Sequence, residues 1–224
     1  MKLAISLGGS LLTRNMTADT YRAYAQVFRQ LKQQGHNQII GVGGGRPARQ
    51  YIKLGKELGA DSHLQDRLGI LATHVNALLL IAAIGPDAHS HIHRRSTEIK
   101  RNLGDKILVG GGHLPGSSHD YRLVIFAAAQ KADLIIKATD HSGVYTKDPK
   151  HSDAEQIKEM TYSQLITLIK ERFKQTPGNY GLFDLKAART ASRQGIPLII
   201  IDGTDPQEII NAVQGTHSGT LIHP

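Results

Sequence analysis

Short apolar runs alternate, from one end of the chain to the other, with stretches in which apolar side chains recur every third or fourth position. The runs have strand length and the spaced stretches have helix length. That alternation predicts a parallel sheet flanked by helices. Strands are expected at Lys2–Leu7, Gln38–Val42, Lys106–Val109, Leu134–Lys137 and Pro197–Ile201, with a short last strand over Thr220–His223. Helices are expected near Ala18–Gln34, Pro47–Leu58, Leu64–Ala83, Tyr121–Gln130, Tyr162–Phe173, Phe183–Gln194 and Pro206–Gln214. Neither a low-complexity linker nor an internal repeat interrupts the alternation, and the chain is read as one α/β domain over residues 1–224.

Two stretches carry more than the alternation. In the helix Leu64–Ala83, the residues Leu64, Leu68, Leu71, Val75, Leu78 and Ala82 keep the spacing of a buried stripe. Asp66, Gly69, Thr73 and Asn76 form a narrow line on the other side. A solvent face usually carries long charged side chains. This line has short hydrogen-bonding ones, so it is expected to face a ligand or a neighbouring subunit. Between Asp87 and Asn102, His89, His91 and His93 alternate as on one face of a strand. A solvated or interface strand is favoured over a metal site there, because no carboxylate stands nearby in sequence to orient the imidazoles.

Three glycine-rich loops follow apolar runs: Leu7-Gly8-Gly9-Ser10, Val42-Gly43-Gly44-Gly45-Arg46-Pro47-Ala48-Arg49, and Gly110-Gly111-Gly112 continuing to Pro115-Gly116-Ser117-Ser118. Loops without β-carbons let phosphate oxygens approach backbone N–H groups, and a helix starting there adds the positive end of its dipole. Three such loops point to an enzyme holding more than one phosphate. Pro47 suits a first helical turn, and Arg49 can meet a phosphate with a forked pair of donors. The loops are neither a Walker A sequence nor a Gly-x-Gly-x-x-Gly fingerprint. Further along, Asp120 is expected to cap a helix, and Lys137-Ala138-Thr139-Asp140 closes a strand at the usual binding edge of an open α/β sheet. Asp184 is expected to cap the helix that contains Lys186 and to aim its ammonium group. Phosphoryl transfer needs charge stabilisation and alignment more than a nucleophilic side chain, so this set suffices for it.

Composition narrows the field. The chain has no cysteine, so disulfides and thiolate metal sites are excluded, and a cytoplasmic location is expected. No apolar run is read as long enough to span a bilayer, and the opening residues read as a strand rather than a signal peptide. The net charge of +8 is compatible with nucleic-acid binding. However, tryptophan is absent and only 5% of residues are aromatic, and the basic cluster His93-Arg94-Arg95 with Lys100-Arg101 lacks interleaved aromatics. A cleft for anionic small molecules is the expected use of the charge, with neither nucleic acid nor membrane as partner.

Taken together, these segments resemble the amino-acid kinase superfamily, most closely its archaeal-type uridylate (UMP) kinases. The likeness runs from Leu7-Gly8-Gly9-Ser10 to Gly215-Thr216-His217-Ser218-Gly219-Thr220-Leu221-Ile222. Its most specific parts are Val42–Arg49, Lys131-Ala132-Asp133 through Lys137-Ala138-Thr139, and Ser142–Pro149. The resemblance implies a three-layer sandwich with a mostly parallel central sheet, an N-terminal part that binds mainly the acceptor and a C-terminal part that binds mainly ATP. It implies that Gly8, Gly9 and Ser10 contact the ATP β- and γ-phosphates. Gly44, Gly45 and Arg49 would hold the UMP phosphate, Asp66 the ribose hydroxyls, and Thr73 would lie near the nucleotide. Pro115 to Asp120, with Ser118 and His119, is similar to the segment that closes over uracil. Lys137, Thr139, Asp140, Tyr145 and Asp148 match the ATP side, and Asp184 and Asp120 the catalytic centre. Mg²⁺-ATP as cosubstrate, UDP as product and a homohexamer are implied as well.

The chain departs from the family pattern at several positions. Ser6 stands where many members have a phosphate-binding lysine, and Lys186 is expected to supply that cation, with Lys137 or Arg189 as alternatives. His119 replaces a hydroxyl residue, Tyr121-Arg122 replaces a small pair, and Ser142 replaces an aspartate. Three readings therefore stand: a UMP kinase, a related kinase for another small acceptor, and a non-catalytic nucleotide-binding or storage homologue.

Overall fold

The computed structural model describes residues 1–147, 153–172 and 181–224. The chain runs β1 (Lys2–Leu7), α1 (Gly9–Thr13), α2 (Ala18–Gln33), β2 (Asn37–Val42), α3 (Gly45–Glu57), α4 (Ser62–Ile84), β3 (Ala88–His93), α5 (Ser96–Asn102), β4 (Ile107–Gly110) and α6 (His119–Gln130). It continues through β5 (Leu134–Thr139), β6 (Val144–Tyr145), β7 (Gln156–Ile157), β8 (Glu159–Thr161), α7 (Tyr162–Arg172), α8 (Leu185–Arg193), β9 (Leu198–Asp202), α9 (Gln207–Gln214) and β10 (Thr220–His223). Eight strands form one sheet in the order β3-β4-β2-β1-β5-β9-β10-β8, parallel except for the β9–β10 pair. β1, β2, β4, β5, β9 and β10 lie where the apolar runs predict them, β3 falls on the alternating histidines, β8 is an addition, and the parallel sheet flanked by helices is the expected fold class.

Burial on both faces explains why the central strands read as continuous apolar runs rather than alternating ones. Leu3, Ile5 and Leu7 of β1 pack with Tyr24, Phe28 and Leu31 of α2 and with Ala77, Leu80 and Ile84 of α4. Ala4, one position out of step, points to the opposite layer with Leu123 and Phe126 of α6, Leu165 of α7 and Ala187 of α8. Since β4, β2, β1 and β5 are parallel neighbours, the three glycine loops and the Lys137–Asp140 segment all leave the sheet at one edge. Beside that edge, β6 and β7 form a small antiparallel hairpin.

The structure corrects the expected buried stripe on α4. Leu64, Leu71, Val75 and Leu78 are all exposed, with Leu71 at 59% and Val75 at 57%, while Thr73 and Asn76 are buried with Ala72, Ala77 and Leu80. The polar line turns inward and the apolar stripe outward. The physical reason is that the polar line has backbone groups of the glycine loops to satisfy, whereas among the described residues only Leu68 of the stripe's leucines lies against a neighbouring helix, at Gly55 of α3. The expectation that no stretch is apolar enough to span a bilayer also needs correction. Ser62–Asp87 is long and apolar enough by length and composition, although it packs within the domain through α2, α3 and β3.

Candidate active site

The first two glycine loops are interlocked backbones. A β-carbon on Gly9 would come within 2.1 Å of the Gly45 nitrogen and 2.5 Å of the Gly43 carbonyl carbon. Gly45 sits at φ 63°, and a β-carbon there would meet the Thr13 hydroxyl at 2.2 Å. Thr13 fastens the pair by donating to the Gly9 carbonyl (2.8 Å) and accepting from the Arg46 N–H (3.0 Å). Gly8 N–H donates to the Ala138 carbonyl and Gly43 N–H to the Leu7 carbonyl, so β1, β2 and β5 end in one connected platform. No side chain caps the start of α3, which leaves that helix mouth facing the cavity beside Arg49.

The third loop hangs on α4. Thr73 Oγ1 accepts from Gly112 N–H at 2.8 Å and donates to the Ile70 carbonyl, and His74 Nε2 pairs with the Gly112 carbonyl at 2.7 Å. Asp66 accepts from Gly116 N–H at 2.6 Å, and Asn76 donates to the Gly43 carbonyl at 2.8 Å. The polar line that the sequence singles out is therefore the mount for two loops. Asp66, Gly69 and Thr73 also reach the cavity wall.

A buried charge network forms the floor. Ser6 and Lys137 are register partners on β1 and β5, and Asp120 descends between them from the first turn of α6. Lys137 Nζ donates to both Asp120 oxygens, at 2.8 and 2.7 Å, and Ser6 Oγ donates to Oδ1 at 2.5 Å. His119 Nε2 lies 3.2 Å from Ser6 Oγ and 3.3 Å from Asp120 Oδ1. Burial alone would raise the Asp120 carboxyl, but His119 and Lys137 and the hydrogen bonds from Lys137 and Ser6 outweigh it and hold it at about 2. Burial pushes the His119 imidazole below its ordinary value, more than Asp120 raises it. Lys137, bonded to both carboxylate oxygens, is the partner seated most directly against Asp120. The expectation that Asp120 caps its helix is corrected, because Ser118 holds that position and accepts from Tyr121 N–H at 3.0 Å.

Around this floor lies a cavity of about 850 Å³. Its wall includes Gly8, Gly9, Ser10, Gly44, Gly45, Arg49, Asp66, Thr73, Ser118, His119, Asp120, Lys137, Thr139, Asp140 and Tyr145 among the residues predicted from the sequence. Asp140 accepts from Arg14 at 2.8 Å; burial raises its carboxyl, but His141 and Arg14 lower it further. Pro115, Asp184 and Lys186 stand outside the wall. Asp184 caps α8 as expected, accepting from Ala187 N–H at 3.0 Å, while Lys186 is exposed with Nζ 3.5 Å from the Gly116 carbonyl. Asp148 lies outside the described residues. Sequence reasoning missed Lys147 and Arg172, cations on the cavity's far side; Arg172 donates to the Tyr145 and Thr146 carbonyls. Their spacing from any loop motif gives no signal, because only the turn of β6 and the end of α7 bring them together.

Paired glycine loops on a parallel sheet edge with an ionic floor define a phosphate-handling enzyme of the kinase class. Residues 1–202 match the amino acid kinase family, and the chain belongs to that family. It is similar over its full length to the uridylate kinases of Methanococcus vannielii (38% identity, 100% of each chain) and Methanocaldococcus jannaschii (37%, 99% of each). The crystal structure of uridylate kinase from Archaeoglobus fulgidus superimposes with a TM-score of 0.87 at 36% identity, covering 99% of this chain and 100% of that one. An aspartate kinase from Synechocystis, at 20% identity and TM-score 0.76, shares the fold over 40% of its own chain.

Proposed function

We propose that this chain is a UMP kinase that transfers the γ-phosphoryl group of ATP to UMP, giving UDP and ADP in pyrimidine nucleotide synthesis. The observation that carries the reading is the interlock of Gly9 with Gly43 and Gly45, which sets a donor-phosphate loop against an acceptor-phosphate loop inside one cavity. Full-length similarity to uridylate kinases supplies the substrate class. Gly44, Gly45 and Arg49 hold the acceptor phosphate, and Gly8, Gly9 and Ser10 hold the β- and γ-phosphates. An acceptor phosphate oxygen attacks the γ-phosphorus in line. No general base is needed, since the acceptor is already an anion.

Charge stabilisation falls to Lys137, the cation in the floor, with Asp120 fixing its ammonium group and Lys186 closing from the mouth beside Gly116. Lys137 lies one strand over from Ser6, so it stands beside the position where many relatives place a lysine. Magnesium enters as the counter-ion of ATP. With the wall carboxylates Asp120 and Asp140 engaged by Lys137 and Arg14, phosphate oxygens and waters would supply most of its ligands, and the ion would neutralise charge on the phosphates. The exposed apolar face of α4, continued by Tyr51 and Leu54 of α3, suits a second copy of the chain, and a homohexamer follows by family resemblance. The cysteine-free composition fits a cytoplasmic enzyme.

Release of ADP, measured by a coupled assay with UMP, CMP, AMP and isopentenyl phosphate, tests the reading. UMP should be strongly preferred, and preference for any other acceptor overturns the assignment. The replacement of a hydroxyl residue by His119 beside the acceptor loop is the observation that favours such an alternative. Nucleotide binding without ADP release for any acceptor would instead indicate a non-catalytic homologue.

A further inference from the structure

On the outermost strand of the sheet, β3 gathers three imidazoles. On a regular strand, residues four apart stand about 13 Å from one another. In β3 the rings of His89 and His93 are only 5.2 Å apart between centroids, with His91 at 5.4 Å from the first and 4.5 Å from the second. A register irregularity accounts for this: Ala88 pairs with Ile107 and Ile92 with Val109, so four steps along β3 oppose two along β4. The extra residues in this stretch of β3 bring the three rings into mutual contact. Bulges of this kind re-aim side chains, often at functional sites.

The nearest ligand atoms of the three histidines all lie within 4.8 Å of each other, and rotamer adjustments alone would bring them around a common point. Among the described residues no hydrogen bond engages the rings of His89 or His91. His93 Nδ1 lies 3.3 Å from the Val109 carbonyl, which sets Nδ1 as the donor and leaves Nε2 with its lone pair free to ligate. Nε2 meets only the Asn102 amide at 3.2 Å, a partner that an ion can displace. A backbone carbonyl on the far nitrogen is the outer support that metal-binding imidazoles generally have. Three imidazole nitrogens, one of them on the exposed His91, suit a zinc-class ion, and they suit magnesium poorly, since it prefers oxygen.

We propose that His89, His91 and His93 form a three-imidazole site for a first-row transition-metal ion of the zinc class, separate from the phosphate cavity. Such an ion staples the bulge and covers the outermost strand, an edge otherwise open to pairing with other chains.

The test uses the full chain, stripped with chelator and titrated with Zn²⁺ and, as a spectroscopic probe, Co²⁺, in excess Mg²⁺ so that the phosphate cavity does not contribute. One ion should bind per chain, with cobalt absorption bands of nitrogen ligation and a rise in Tm of several degrees. The double variant His89→Ala/His91→Ala removes the two least buried ligands and leaves His93 packed, so its metal-free Tm should match the parent's. Its affinity should fall about a hundredfold or more, beyond the usual loss from a missing outer-shell partner. Absence of stoichiometric binding to the parent, or equal binding to the double variant, overturns the proposal. If the double variant fails to fold, His91→Gln alone decides by the same titration.

Discussion

Helices α2 and α4 are the two longest among the described residues and pack against each other, yet they are built on opposite plans. In α2, Tyr21, Tyr24, Val27, Phe28 and Leu31 face inward and Arg22, Gln26 and Gln30 face water, the ordinary arrangement of a surface helix. In α4, Thr73 and Asn76 face inward while Leu71, Val75 and Leu78 face out. The difference teaches that periodicity identifies a helix and divides it into faces, but does not say which face the core receives. That choice follows what each face must satisfy. The inner side of α2 meets apolar strands. The inner side of α4 meets the carbonyls and N–H groups of two glycine loops, which only short polar side chains can reach.

Substitutions on each plan should separate accordingly. Phe28→Ala, in the fully buried face of α2, should cost about 3–5 kcal/mol in denaturant unfolding while leaving nucleotide affinity little changed. Asn76→Leu, on the inward face of α4, should cost about 1–3 kcal/mol by stranding the Gly43 carbonyl. It should also raise KM for the acceptor more than for ATP; equal changes in both would argue that Asn76 is packing only. Leu71→Glu with Val75→Glu should shift the stability of the isolated chain by only about 0.5 kcal/mol. Sedimentation should nevertheless show a smaller particle, and an unchanged mass would remove α4 from any interface between copies.

The smallest effect is a pH dependence confined to the α4 side. Burial lowers the His74 imidazole, more than its bond to the Gly112 carbonyl raises it, and Arg94 lowers it further. The unfolded chain takes up that proton near the ordinary value of about 6.5, before the folded chain does. The contribution is thus complete above that value and is lost as pH falls toward the folded one. His74→Gln should make the decline of Tm between neutral and mildly acid pH shallower. α2 carries no histidine, so Gln26→Ala serves as a control that leaves the slope alone.

Much of this architecture is legible in the residues. The strands show because a sheet covered on both faces needs long apolar runs, and the loops show because glycine triplets after such runs have few other uses. The short polar line on α4 was readable as unusual for a solvent face, although the leucines opposite it pointed to the wrong side. Asp120 was legible as important but not in its role, since a capping position and a buried ion pair differ by only two residues at a helix start. Lys147 and Arg172 left no trace, because they converge only through tertiary structure. The bulge in β3 was hidden for a related reason: alternation of histidines predicts a common face, but the collapse from strand spacing to mutual contact depends on pairing with β4.

The contact between Gly9 and the Gly43–Gly45 backbone has a consequence for anyone who would retarget this enzyme. The first two glycine loops are here a single casting, and neither can be widened, shifted or exchanged alone without forcing the other out of shape. New acceptors must be won around Gly112 to Ser117, where the third loop leans on α4 through Asp66 and Thr73, since His119 is tied to Ser6 and Asp120 in the floor. The separation between the two loops is a fixed dimension of the chain, and chemical variety has to be written around it.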